Sequence, residues 1–123
     1  MGYADDRRVF TVKTGPTVSD NVDVAYIVIP ANREVEIYAM RVLSIVANGT
    51  ASGKMELVKA DNTIIASATN THTASTIADA TQTMPLTVAA STTDTFLKIR
   101  TDQAIDGSGI CQVEVHMKEP GYD

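Results

Sequence analysis

The chain has 123 residues, 44% of them hydrophobic, with a formal net charge of -5. That is one-domain length with enough apolar content for a sizeable core, so a disordered chain is excluded. The acidic balance argues against a nucleic-acid partner, because phosphate binding needs clustered Lys and Arg and the only adjacent basic pair, Arg7-Arg8, follows Asp5-Asp6.

In chain order, residues 1–8 read as a polar N-terminal arm, 9–118 as a single β domain and 119–123 as a tail. Arg7 to Lys13 places Phe10 and Val12 on one face, as a first or edge strand does. Gly15-Pro16 and Ser19-Asp20-Asn21 supply turns. Val22 to Ile29 is apolar at nearly every position except Asp23 and ends at Pro30, which predicts a strand that is either central or packed from both sides.

Glu34 to Ala68 is the organising stretch and predicts a three-stranded meander. Val35, Ile37 and Ala39 alternate with Glu36 and Tyr38, and Met55 and Leu57 alternate with Lys54 and Glu56. Asn48 to Gly53 and Ala60-Asp61-Asn62-Thr63 are its expected turns. From Met40 to Val46 apolar groups occupy both faces, so either a β-bulge shifts the phase or both faces are covered.

Thr69 to Thr83 reads as a long exposed loop, with one short helical turn predicted where Ile77, Ala80 and Met84 stand three and four residues apart. Met84 to Ala90 and Thr95 to Thr101 are further strands. Ile110 to Lys118 has the clearest alternation, Cys111, Val113, Val115 and Met117 against Gln112, Glu114, His116 and Lys118. The total is about eight strands without a convincing helix, the signature of an all-β protein. The expected fold is an antiparallel β-sandwich, jelly-roll-like, with an immunoglobulin-like sandwich as the alternative.

Catalytic chemistry finds little support. His72 and His116 are the only imidazoles, and the spacing of Cys111 and His116 puts them on opposite strand faces. Cys111 reads as a small buried hydrophobe. The pairs Asp102 with Asp106 and Asp20 with Asp23 read as turn aspartates, and Asp102 to Gly109 lacks calcium-loop spacing. No zinc-ligand cluster or phosphate-binding glycine loop is present in the sequence. The expectation is a non-enzyme with no cofactor, no metal, no nucleic-acid partner and no membrane span, made in the cytoplasm without a signal peptide.

RVLSIVANGTASGKMELVKADNTIIASA, LTVAASTTDTFLKIRTD and GSGICQVEVHMK, in an acidic chain nearly free of aromatics, resemble the small β-sandwich structural proteins of tailed bacteriophage virions. The likeness is greatest to capsid decoration, or cement, proteins. It implies location on the capsid surface, self-association, often as a trimer, and binding to the major capsid protein. A phage tail or fibre module binding a host glycan is the alternative. Val24, Tyr26, Met40, Val42 and Val46 are the candidate subunit contacts, because their stretches carry more apolar groups than one core requires. Thr71, His72 and Thr73 mark the candidate partner-facing loop.

Overall fold

β-branched residues in alternation with polar ones place most of the described residues in strands. The structure is a computed structural model that describes residues 6–17, 20–46, 53–70, 75–105 and 107–118. Among the described residues there are nine strands and no helix: β1 (Asp6–Lys13), β2 (Asp23–Ile29), β3 (Val35–Val46), β4 (Gly53–Lys59), β5 (Ile64–Asn70), β6 (Thr76–Asp79), β7 (Leu86–Val88), β8 (Thr95–Thr101) and β9 (Ser108–Met117).

Every pairing is antiparallel. β1 runs along β9, β2 along β8, β4 along β5, and β3 along both β6 and β7. These are the pairs of a chain doubled back on itself about the β4–β5 turn. Wrapping that doubled ribbon sets β3 beside β9 and β4 beside β8. One sheet then has the order β1-β9-β3-β6, with β7 also on β3, and the other β2-β8-β4-β5. This is a jelly roll, two sheets wound from one ribbon. β6 faces Arg41 to Ser44 and β7 faces Val35 to Ile37, so they serve as two halves of one interrupted strand and nine strands fill eight positions. The immunoglobulin-like alternative does not hold, since there the first and last strands are not paired along one ribbon.

The core lies between the sheets. Cys111, Val113, Val115 and Met117 of β9 are buried against Ile27, Ile29, Leu57, Leu97 and Ile99 of the facing sheet. β3 shows how a strand with apolar groups on both faces is accommodated. Its register on β9 shifts between Ile37 and Ala39, so Val35 and Ile37 point inward before the bulge and Met40, Val42 and Ser44 after it. The bulge, one of the two expected explanations, moves the buried parity from odd to even.

Five expectations need correction. Glu34 to Ala68 is not a three-stranded meander: β3 belongs to one sheet, while β4 and β5 form a hairpin in the other. Alternation shows which side chains are buried, and it does not say which sheet receives the strand. The Asn48 to Ser52 part of the expected turn lies outside the described residues. Of the two placements expected for β2, the central one does not hold: among the described residues it pairs only with β8, at a sheet edge. The helical turn over 76–83 is replaced by β6, whose residues pair with β3 and turn Ile77 outward at 63% exposure. β5 extends to Asn70, into the stretch expected as loop, and β1 begins at Asp6, inside the expected arm.

The β4–β5 turn forms as its residues predict. Asn62 takes a φ of 71°, Lys59 and Thr63 close the loop with Lys59 N donating to Thr63 O at 2.9 Å, and Thr63 N donates to Asp61 Oδ1 at 3.0 Å.

Candidate interaction surface

With the core filled from both sheets, function falls to the two outer faces and the sheet edges. On the β2-β8-β4-β5 sheet, the residues that alternate with the buried Ile27 and Ile29 are Tyr26 and Val28, exposed at 58% and 67%. Val28 faces Phe96 across the β2–β8 pair, and Tyr26 faces Lys98. The Tyr26 and Phe96 rings meet edge to face with centroids 5.7 Å apart. Polar groups frame this patch. The Tyr26 hydroxyl donates to Asp23 Oδ2 at 3.3 Å, and the Asp23 charge raises the Tyr26 pKa above its ordinary value. Lys98 Nζ stands 3.9 Å from Asp23 Oδ2 and donates to Asn62 Oδ1 at 2.6 Å. Arg100 donates through Nε and Nη2 to Glu56 Oε1 at 3.2 and 3.0 Å.

The opposite outer face divides into two regions. Near one end, Lys13, Ile110, Leu43 and Ile77 form a cross-strand row, and Thr11, Gln112, Arg41 and Asp79 form the next. Together these rows enclose a shallow depression of about 300 Å³ lined by Leu43, Ile77 and Ile110. Arg41 Nη1 donates to Gln112 Oε1 at 2.6 Å, and its Nε stands 3.7 Å from Asp79 Oδ1. Toward the other end, the Tyr38 hydroxyl donates to Glu36 Oε1 at 3.2 Å, and Lys118 Nζ donates to Glu34 Oε1 at 3.3 Å. That bond to Glu34 raises the Lys118 pKa. His116 is buried here, with its ring 5.9 Å from that of Tyr38 and Nδ1 3.5 Å from Glu36 Oε1.

The sequence-derived contact residues divide three ways. Met40 and Val42 are 1% and 0% exposed in the core, so they offer no surface to another subunit, and that expectation is corrected: the bulge turned them inward. Val24 is half-buried and packs against the core. Tyr26 and Val46 are exposed, but they belong to different sheets and do not share one patch. Thr71, His72 and Thr73 lie outside the described residues. Sequence reasoning missed Val28 and Phe96, although Val28 shares the parity of Tyr26 and Phe96 falls in the alternation of β8.

Cys111 and His116 do project to opposite faces of β9, and burial pushes the Cys111 thiol up to about 12. The turn aspartates bond backbone: Asp102 Oδ1 accepts from Lys54 N at 2.7 Å and Asp20 Oδ1 from Ala104 N at 3.1 Å. Among the described residues no group of three or more His, Cys, Asp or Glu could hold a metal ion. The fold and surface thus define a jelly-roll protein with an aromatic and aliphatic patch beside the β2 edge, which is paired only with β8 among the described residues. Comparison with protein-family models and with curated proteins finds no match.

Proposed function

We propose that this jelly roll is a non-enzymatic virion structural protein, a capsid decoration protein that self-associates and binds the outer surface of the major capsid protein lattice. The observation that carries the reading is the placement of apolar groups on the outer faces, Tyr26, Val28 and Ile77 exposed and Phe96, Leu43 and Ile110 half-buried beside them. Tyr26, Val28 and Phe96 gather on one outer face, and Leu43, Ile77 and Ile110 on the other. Contiguous apolar surface of this kind marks protein contacts. The charged groups beside these patches, Asp23 with Lys98 and Arg41 with Asp79, are already paired within the chain. The resemblance of the strand and turn segments to decoration proteins is the reason for proposing a capsid lattice as the partner.

Exposed Tyr26, with Asp23, Lys98 and Asn62 close by, also favours a second reading, a tail or fibre module stacking a host glycan on the ring. Light scattering and co-sedimentation with capsids lacking the protein test the first reading, and a glycan array tests the second. A strict monomer that does not sediment with capsids contradicts the decoration role.

A further inference from the structure

Four edges bound the two sheets, and three of them are guarded. β1 includes Arg7, Arg8 and Lys13. β5 is covered where Thr81 N donates to Ser67 O at 3.2 Å and Ser67 N donates to Gln82 Oε1 at 2.9 Å. The β6 and β7 edge is broken into pieces of four and three residues. Charge, cover and shortness are the means by which sheets avoid adding strands. Past the register shift between Asp23 and Ala25, β2 has none of these from Ala25 to Ile29, a run of AYIVI without charge or proline, and among the described residues it is paired on one side only. Alternate backbone N–H and C=O groups of such a strand point away from its neighbour.

We propose that β2 is a strand-addition edge whose occupant is β2 of a second copy, antiparallel about a two-fold axis through Ile27. In that register Ile27 faces its own equivalent, Tyr26 faces Val28 of the partner subunit, and Ala25 faces Ile29 of the partner subunit. The pairing sets no like charges opposite each other, and it forms an aromatic with β-branched pair twice over. Those pairs cover Val28 and Tyr26, exposed at 67% and 58%. The nearest charge, Asp23, is held by Lys98 at 3.9 Å. A second copy fits because the segment is complementary to itself, as a two-fold contact requires. The inference rests only on the self-association part of the proposed function, and its two-fold symmetry departs from the trimer implied by the resemblance.

Light scattering on the full chain should give a dimer mass. Tyr26→Lys with Val28→Lys sets lysine opposite lysine twice and should weaken the dimer by about a hundredfold, the scale of like-charge juxtaposition. Circular dichroism checks that this variant stays folded. Independently, mixing a Tyr26→Cys protein with a Val28→Cys protein under mild oxidation should give a mixed disulfide, because facing residues of an antiparallel pair lie within disulfide reach. Each variant alone should not cross-link. A monomer, a trimer or absence of the mixed disulfide overturns the proposal, and a monomer is also the result if the occupant is a strand of another protein. Capsid binding by a monomer would overturn this contact and leave the decoration reading standing.

Discussion

Ile105 lies in the loop between β8 and β9, yet it is 0% exposed. Its side chain fills the space between two glycines. A Cβ on Gly53 would sit 2.7 Å from Ile105 Cγ1, and one on Gly15 would sit 3.3 Å from Ile105 Cγ2 and 2.7 Å from Gly107 O. Backbone bonds fix the loop there: Thr17 N donates to Ile105 O at 2.8 Å, and Ile105 N to Thr17 Oγ1 at 3.0 Å. Ile105→Ala should cost about 2–5 kcal/mol, transfer and cavity terms together. Gly53→Ala alone should cost about 1–3 kcal/mol by overpacking. In the Ile105→Ala background the new methyl enters vacated space, so the double variant should be less destabilised than the sum by about 0.5–3 kcal/mol. Gly15→Ala is the control, since the Gly107 carbonyl still blocks it and its cost should persist in both backgrounds. Urea unfolding followed by circular dichroism at one protein concentration reads all of these values. If Ile105→Ala falls within about 0.5 kcal/mol of the parent, or Gly53→Ala costs the same in both backgrounds, the plug does not exist.

The remaining predictions concern other points of the fold. A Cβ on Gly109 would run into the Leu43 carbonyl oxygen and lie 3.3 Å from Ser44 Cα. Gly109→Ala should therefore lower stability by about 1–3 kcal/mol in urea unfolding, and a neutral result would mean that β3 and β9 are farther apart there. With its thiol pushed up to about 12 by burial, Cys111 should resist alkylation at pH 8 until the protein unfolds, so rapid labelling of native protein would contradict its placement. Hydrogen bonds from Thr63 hold the Asp61 carboxyl below its ordinary value of 3.8. Because the folded value is the lower one, this stabilisation is present above the unfolded value and is lost as pH falls through the folded one. Thr63→Ala should raise the Asp61 midpoint measured by NMR, and an unmoved midpoint would remove the hydroxyl from the account.

Local signals carried the fold well where one residue fixes the geometry. Asn62 at positive φ makes the β4–β5 hairpin, and the alternation from Ile110 to Met117 reports the buried face of β9 directly. Non-local features were not legible. An edge strand such as β2, apolar inward for the core and outward at its surface, has the same pattern as a central strand, so central placement stayed among the expectations until the pairing put β2 at an edge. Ile77, Ala80 and Met84 matched a helical period by chance, because strand pairing with Arg41 to Ser44 decides that segment. Of the candidate contact residues, Tyr26, drawn from the surplus of apolar groups in its strand, is exposed, whereas Met40 and Val42 were turned inward by the bulge at Ile37/Ala39, whose position depends on β9. Ile105 gave no signal, since a lone apolar residue between turn formers reads as loop.

The central claim is that this protein acts by binding a capsid lattice through its outer surface. It is tested most directly by titrating the purified chain against phage capsids that lack it and measuring bound protein per capsid subunit. Saturable occupancy at a fixed ratio, with no signal on a glycan array, is the predicted result. Glycan binding without capsid occupancy would contradict it.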